Sequence, residues 1–120
     1  MKIALTTAGH DLDAPLDGRF GRAAGFLIYD LDDQTFTIAG NAQNAAAAQG
    51  AGIQAAQAVA RLGVKALVTG HCGPKAFQVL RAAGVKVFTT GAETVAAALA
   101  QYRAGELVEA TGADVNSHWA

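Results

Sequence analysis

The 120-residue chain suits a single domain, and a composition of 52% hydrophobic and 16% charged residues excludes a disordered polypeptide. A net charge of −1 excludes an overall positive field for nucleic acid or an anionic membrane, so anion binding would require a local patch. No apolar run approaches the roughly 20 residues of a membrane span, and the chain starts in a strand-like run rather than a signal segment. Its single cysteine, Cys72, excludes an internal disulfide, and the cytoplasm is the expected location.

Runs of apolar residues predict three strands in the first third of the chain, at Lys2–Thr7, Gly25–Asp30 and 34–39. A short turn at Asp32 and Asp33 joins the second strand to the third, which favours an antiparallel hairpin. The segment between the first two strands is rich in Asp and Gly and is predicted to be a long loop.

A second loop, predicted over 40–50, leads into a helix predicted over 53–62, which Gly63 ends. An internal repeat follows. Residues 63–70 read GVKALVTG and match residues 84–91, which read GVKVFTTG. In the first helix, Ile53, Ala56, Val59 and Ala60 are expected to share one face.

Each copy of the repeat has the order helix end, strand, glycine and helix, so the pair predicts two βα units with parallel strands and right-handed crossovers. The last helix is predicted over 94–103. Residues 1–107 are therefore predicted to form one ligand-binding α/β domain, followed by a C-terminal tail over 108–120.

These elements predict a five-stranded mixed sheet with helices on both faces and the second strand antiparallel to the others. The first strand would lie beside the fourth, while the hairpin extends the sheet the other way. The connections then leave the first and fourth strands in opposite directions, which opens a crevice at their carboxyl ends. Ligands of open α/β sheets bind at such a switch point, so a site is expected between residues 9–22 and 70–75.

The turn after the fourth strand is predicted to form one wall of this crevice. Its glycines would let the backbone approach a ligand, and its proline suits a first helical turn. The helix N-terminus would direct N–H groups at an anion and lower the pKa of the Cys72 thiol, which could then ligate a soft metal. The alternative is an ordinary tight turn with a half-buried cysteine. The candidate binding residues here are Gly70, His71, Cys72, Gly73, Pro74 and Lys75, with Cys72 and His71 as candidate metal ligands.

A second candidate wall carries two arginines. Arg19 and Arg22 flank Phe20 in the long loop, and two guanidinium groups can hold an oxo- or sulfido-anion through forked hydrogen bonds. Phe20 would then offer the ligand an apolar wall. The alternative, favoured when this segment is considered alone, is a solvated loop with Phe20 packed in the core.

Two further patterns do not support the functions that they suggest. Gly50 and Gly52 fit the glycine spacing of a dinucleotide-binding turn, but they follow a predicted loop rather than a strand. The residues around Cys72 open like a cysteine-phosphatase loop, but Gln78 stands where that loop requires an arginine.

Several short segments, taken in order, resemble the dinitrogenase iron–molybdenum cofactor-binding family, whose members include NifX, NafY and the C-terminal part of NifB. The resemblance covers about residues 2–107, and it lies in the order and spacing of the segments rather than in any one of them. The segments are 20–23 (FGRA), 26–30 (FLIYD), 50–53 (GAGI), 70–77 (GHCGPKAF), 83–85 (AGV) and 105–107 (GEL).

The resemblance implies an RNase H-like fold with strand order 3-2-1-4-5, and a cargo of FeMo-co or its precursors. For stand-alone members with this glycine–cysteine–proline turn it implies a molybdenum–copper sulfide cluster held without a covalent bond. Arg19 stands where many members have a histidine, and Gln49 stands at a second such position. These departures favour electrostatic holding of an anionic cluster over coordination by histidine.

The first functional hypothesis is therefore a non-catalytic carrier of a molybdenum-containing metal–sulfide cluster, with Cys72 or His71 touching metal or sulfur. The second is a nitrogenase-cofactor maturation factor of the NifX type, and the third is a Cys72-dependent enzyme. The fourth is an interaction module without cargo. Proteins that supply or receive the cluster are candidate partners, whereas nucleic acid and membranes are not expected.

Overall fold

The structure is a computed structural model that describes residues 1–46 and 50–111. Gln49, His118 and Trp119 lie outside the described residues. The elements are β1 (Lys2–Thr7), β2 (Gly25–Asp30), β3 (Thr35–Gly40), α1 (Ala42–Ala45), α2 (Ala51–Arg61), β4 (Ala66–Thr69), α3 (Pro74–Ala82), β5 (Lys86–Thr89) and α4 (Val95–Arg103).

The strands form one mixed sheet of order β3-β2-β1-β4-β5. β2 pairs antiparallel with both β1 and β3, whereas β1 pairs parallel with β4 and β4 with β5. This confirms the predicted α/β class, the strand order and the antiparallel second strand. β1 therefore lies beside β4 with connections that diverge, which is the switch point that the sequence predicts.

The sheet is covered on both faces, as predicted, because the side chains of each strand alternate between two cores. On β1, Ala4 faces the core beneath α2 and α3, whereas Ile3 and Leu5 face the core beneath α4. α2 and α3 contribute Val59, Phe77 and Leu80 to their core, and α4 contributes Val95, Ala98 and Leu99 to the other. Burying one such large side chain stabilises the fold by about 1.5–3 kcal/mol, so the sheet is anchored from both sides.

Element boundaries differ from the prediction at two places between β2 and α2. β3 starts one residue late because Gln34 adopts a φ of 58° in the hairpin turn, outside strand geometry. The loop predicted over 40–50 contains the short helix α1, which starts after the buried Asn41. An alanine-rich stretch without apolar periodicity does not reveal so short a helix.

The second helix also starts earlier than predicted, at Ala51 instead of 53. Its first residue faces the core, and of the four residues predicted to share one face, Ala56 and Val59 are buried whereas Ile53 and Ala60 are half-buried. The α2 residues that are buried are Ala51, Ala55, Ala56 and Val59.

The chain remains packed against the sheet beyond the predicted domain end at 107. Glu109 forms an isolated antiparallel bridge with Phe88, and the buried Ala110 donates its N–H to the Val87 carbonyl oxygen at 2.7 Å. These contacts cover part of the outer edge of β5, so the packed domain continues at least to Ala110. Among the described residues, no helix combines the length and apolar character needed to cross a membrane.

A cationic crevice at the switch point

The loop after β1 and the turn after β4 are joined directly. Arg19 and His71 form a parallel β-bridge, in which the His71 N–H donates to the Gly18 carbonyl oxygen at 3.0 Å. The Phe20 N–H donates to the His71 carbonyl oxygen at 3.3 Å. The two segments that the sequence predicts as crevice walls are therefore held side by side.

This close approach accounts for Gly70 in a different way from the prediction. A Cβ on Gly70 would lie 2.5 Å from the Gly18 Cα and 2.6 Å from its carbonyl oxygen. The space that a side chain would occupy is thus filled by the neighbouring loop, and Gly70 is absent from the described lining of the crevice, so the need for glycine here comes from the loop rather than from a ligand. At Gly73, by contrast, a Cβ would meet no atom of the described chain within 4 Å, so this glycine is open to the crevice.

The crevice has a volume of about 700 Å³, which is within the size range of small-molecule sites. Three of its lining residues are cationic, and no carboxylate stands among the lining residues that the structure describes. A chain with a net charge of −1 therefore concentrates positive charge at this place. The lining residues are Arg19, Phe20, Gly21, Arg22, Gly50, Ala51, Gly52, Ile53, His71, Gly73, Pro74, Lys75 and Ala76.

Two helices start at the crevice, and no described side chain caps either of them. In α2 the helical ladder starts with the Gln54 N–H bonded to the Gly50 carbonyl, and in α3 with the Phe77 N–H bonded to the Gly73 carbonyl. The preceding N–H groups of each first turn have no helical acceptor, and the helix dipole adds a partial positive charge. The prediction that Pro74 occupies the first helical turn is confirmed.

The start of α4 shows how differently a covered helix end is built. The Thr94 side chain accepts a hydrogen bond from the Ala97 N–H at 3.1 Å. The N–H groups of Val95 and Ala96 donate to the carbonyl oxygens of residues 14 and 12 at 3.0 and 2.8 Å. The amides of α4 are thus satisfied by the chain itself, whereas those of α2 and α3 face the crevice.

The two arginines are exposed and are supported by separate parts of the chain. The Arg19 N–H donates to Asp17 Oδ1 at 3.0 Å, which fixes the backbone beside the bridge to His71. Arg22 Nη1 donates to the Ala45 carbonyl oxygen at 2.6 Å, at the end of α1. Both arginines line the crevice, and the exposed Lys75 adds a third charge from α3.

Phe20 belongs to the core as well as to the crevice. It is 2% exposed, and its ring packs against Phe26 with centroids 5.7 Å apart. The alternative in which Phe20 is packed in the core is confirmed. Phe20 also lines the crevice, so it joins the crevice to the core rather than forming a free wall.

Cys72 is placed differently from the prediction. The residue is 2% exposed and lies in the core beneath α2 and α3, outside the set of described residues that line the crevice. Burial raises the pKa of its thiol from 9.0 to about 12, so the predicted lowering of this pKa is wrong. The thiol donates to the carbonyl oxygen of Gly73, the residue before α3, at 3.6 Å, and desolvation in the apolar core is the cause of the raised pKa. Its neighbour His71 does line the crevice.

The crevice offers charge and amide donors rather than a ligand set for a bare metal ion. Among residues 1–46 and 50–111, no group of three or more His, Cys, Asp or Glu side chains could hold a metal ion. A soft metal bound here would therefore need sulfide ions of its own cluster, rather than protein side chains, as most of its ligands. The chemistry of the lining fits an anion that brings its coordination shell with it.

Sequence reasoning did not include the start of α2 in the site. A Cβ on Gly21 would lie 2.8 Å from the Cα and N atoms of Gly52, so these glycines bring residues 19–22, the arginine loop, against α2. Gly50, Gly52 and Ile53 thereby become part of the crevice. The sequence signal that could have indicated this part of the site is the pair Gly50 and Gly52. These glycines belong to one of the segments that carry the family resemblance.

Comparison with known proteins identifies the family. Residues 1–105 match the family described as dinitrogenase iron-molybdenum cofactor. The chain belongs to this family. A search of curated proteins found no match.

Solved structures support the same assignment. The apo form of the orange protein from Desulfovibrio gigas is 42% identical, with a TM-score of 0.88 over 92% of this chain and 93% of that chain. A NifB-type protein from Thermotoga is 34% identical, with a TM-score of 0.79 over 90% and 91% of the two chains. A dinitrogenase-like protein from Methanocaldococcus jannaschii, 16% identical, shares the fold with a TM-score of 0.71 over 92% and 95%. Family and relatives support a carrier that binds a metal–sulfur cofactor.

Proposed function

We propose that this protein carries an anionic molybdenum-containing metal–sulfide cluster, most simply a molybdenum–copper sulfide, in the crevice between α2 and α3. One observation carries the proposal: three cationic side chains and two uncapped helix N-termini face a crevice whose described lining has no carboxylate. Thiomolybdate-type clusters are anions whose surface consists of sulfide. Such a surface accepts hydrogen bonds from guanidinium and amide N–H groups.

In this proposal the protein holds its cargo without forming a metal–ligand bond through Cys72. Arg19 and Arg22 bind from one side, and Lys75 with the first-turn amides of α3 from the other. The amides of α2 and the half-buried Ile53 complete the enclosure. Among the described residues that line the crevice, His71 supplies an imidazole nitrogen that can approach a metal or a sulfide.

Family membership favours a second cargo, FeMo-co or its precursor, carried as in the NifX type. This cofactor is also an anionic metal–sulfide cluster, so the same charges would serve. A Cys72-dependent enzyme is disfavoured, since a nucleophilic thiolate needs a low pKa and access, and this thiol is buried with a pKa of about 12.

Reconstitution distinguishes the two cargoes. The apo protein is incubated anaerobically with tetrathiomolybdate and copper(I), or separately with isolated FeMo-co, and passed through gel filtration at low salt. We expect a coloured protein peak containing molybdenum and copper from the first mixture. Colour that elutes apart from the protein would contradict the first cargo, and retention of FeMo-co alone would assign the second.

A further inference from the structure

Asn41 is a buried side chain between β3 and α1, and it contacts the arginine loop. The residue is 2% exposed. Its Nδ2 donates to the Ala23 carbonyl oxygen at 2.9 Å and to the Gly21 carbonyl oxygen at 3.4 Å. Its backbone N–H donates to the Ala24 carbonyl oxygen at 2.9 Å. Because both side-chain partners are carbonyl acceptors, the amino end of the carboxamide must face the loop.

These carbonyl groups lie on both sides of Arg22. One side chain therefore fixes the backbone before and after the residue that brings a guanidinium group to the crevice. On its other side the same loop touches α2, where a Cβ on Gly21 would be 2.8 Å from Gly52. The backbone of Arg22 is thus held between Asn41 and the start of α2.

The side chain of Arg22 depends on Asn41 as well. Arg22 Nη1 donates to the carbonyl oxygen of Ala45, the last residue of the helix that Asn41 precedes. Within this short helix, Asn44 Nδ2 donates to Asn41 Oδ1 at 2.9 Å. Arg22 and α1 are therefore joined through Asn41 at one end and through Ala45 at the other.

We infer that Asn41 is a positioning residue for the cargo: it sets the place of Arg22 in the crevice without lining the crevice itself. This inference rests on the proposed function for its binding arm. Removing the carboxamide would leave the buried carbonyl group of Ala23 and the partly buried one of Gly21 without this donor, and the loop would relax to recover hydrogen bonds. Arg19 is held separately, through Asp17 and the bridge to His71, so its position does not depend on Asn41.

A double-mutant cycle tests this dependence, with tetrathiomolybdate and copper(I) as the probe. We expect Asn41→Ala to weaken binding about tenfold, as Arg22→Ala does, and the double variant to be no weaker than Arg22→Ala alone. When Asn41→Ala is combined with Arg19→Ala, the two losses of affinity should multiply to about 100-fold. Asn44→Ala keeps the Nδ2 contacts of Asn41 and is expected to lose less than about threefold. If Asn41→Ala does not fold, Asn41→Ser, which keeps a small donor at this position, enters the same cycle.

Losses that multiply between Asn41→Ala and Arg22→Ala, or an Asn41→Ala affinity within about twofold of the parent, would overturn the inference. If the parent protein binds no probe, that result counts against the proposed function alone. The positioning role of Asn41 is then tested by a measurement that needs no ligand. The Ala23 N–H donates to the Phe20 carbonyl oxygen and the His71 N–H to that of Gly18. In Asn41→Ala, hydrogen exchange at the Ala23 amide should accelerate at least about tenfold relative to the His71 amide. Unchanged protection of Ala23 would overturn the positioning role.

Discussion

Arg19 and His71 pair as a parallel β-bridge that joins the arginine loop to the turn before α3. Hydrogen bonds of 3.0 and 3.3 Å on the two sides of this bridge connect residues 18 and 20 to His71. The two walls of the crevice are therefore parts of one hydrogen-bonded unit. The backbone segments that carry the cationic side chains are thus joined to one another before any cargo arrives.

The arginines should contribute to binding and little to folding. Arg19→Ala and Arg22→Ala are each expected to lower the affinity for a thiomolybdate–copper cluster at least about tenfold, since a hydrogen bond to a charged group contributes about 1.5–3 kcal/mol. Both side chains are exposed, so the melting temperature should change little. Metal retention after gel filtration and thermal unfolding measure the two effects.

Arg61→Ala is the matched control for the arginine variants. Arg61 is exposed in the last turn of α2 and is absent from the described lining of the crevice, so its loss removes one charge without removing a contact. Equal losses of affinity in Arg61→Ala and Arg19→Ala would show that total charge, rather than this crevice, controls retention.

Binding should weaken strongly with salt. The crevice contributes charges and helix amides, and ionic screening shortens the Debye length to about 3 Å at 1 M salt. We expect the cluster to be released between low salt and 1 M potassium chloride while the protein remains folded by circular dichroism. Undiminished retention at 1 M salt would indicate direct metal–ligand bonds instead.

Cys72 should be dispensable for uptake. Because its thiol lies in the core and not in the described lining of the crevice, Cys72→Ala is expected to bind the cluster within about twofold of the parent and to lose about 1 kcal/mol of stability. Iodoacetamide should modify the native thiol far more slowly than the unfolded one. A colourless Cys72→Ala protein that remains folded would restore the thiol as a ligand.

The buried thiol also predicts how stability depends on alkaline pH. Burial raises the pKa of Cys72 from 9.0 to about 12, so between these values the unfolded chain loses a proton that the folded chain keeps. The free energy of unfolding should therefore fall as pH rises through this window. Burial also raises the pKa of Tyr102, which acts in the same direction, so the difference between the parent and Cys72→Ala isolates the thiol. Identical slopes for the two proteins would contradict the assignment.

The glycines of the turn should respond unequally to a methyl group. Gly70→Ala would place a Cβ 2.5 Å from the backbone of Gly18, and this overpacking is expected to destabilise the fold by about 1–3 kcal/mol. Gly73→Ala meets no described atom within 4 Å, so only the poorer N-cap preference of alanine remains, at a cost of about 1 kcal/mol or less. Denaturant unfolding of both variants measures the difference. Equal stabilities would show that the two loops are not packed as described.

The sheet could be predicted because its signals are local and repeated. The apolar runs of β1 and β2, the short hairpin turn and the repeat at 63–70 and 84–91 each specify one element or connection, and together they leave few topologies. The approximate position of the crevice follows from that topology. The contribution of α2 to the crevice does not, because it depends on the contact between Gly21 and Gly52, which no periodic pattern encodes.

The direction of a single side chain in a turn is likewise set by tertiary packing. His71 and Cys72 are neighbours, and in extended backbone neighbouring side chains point to opposite sides. The sequence pattern does not indicate which of these two side chains faces the ligand. The apolar surface beneath α2 and α3 takes the small hydrophobic thiol, and the imidazole is left at the crevice.

An NMR titration tests most directly whether this crevice holds the cluster. Tetrathiomolybdate with copper(I) is diamagnetic, so amide shifts can be followed in the ¹⁵N-labelled apo protein at low salt. We expect the largest shifts at the first-turn amides of α2 and α3, namely Gly52, Ile53, Lys75 and Ala76, and little change at the covered start of α4. Shifts centred on α4 or on the hairpin turn, or no shifts at all, would contradict the account.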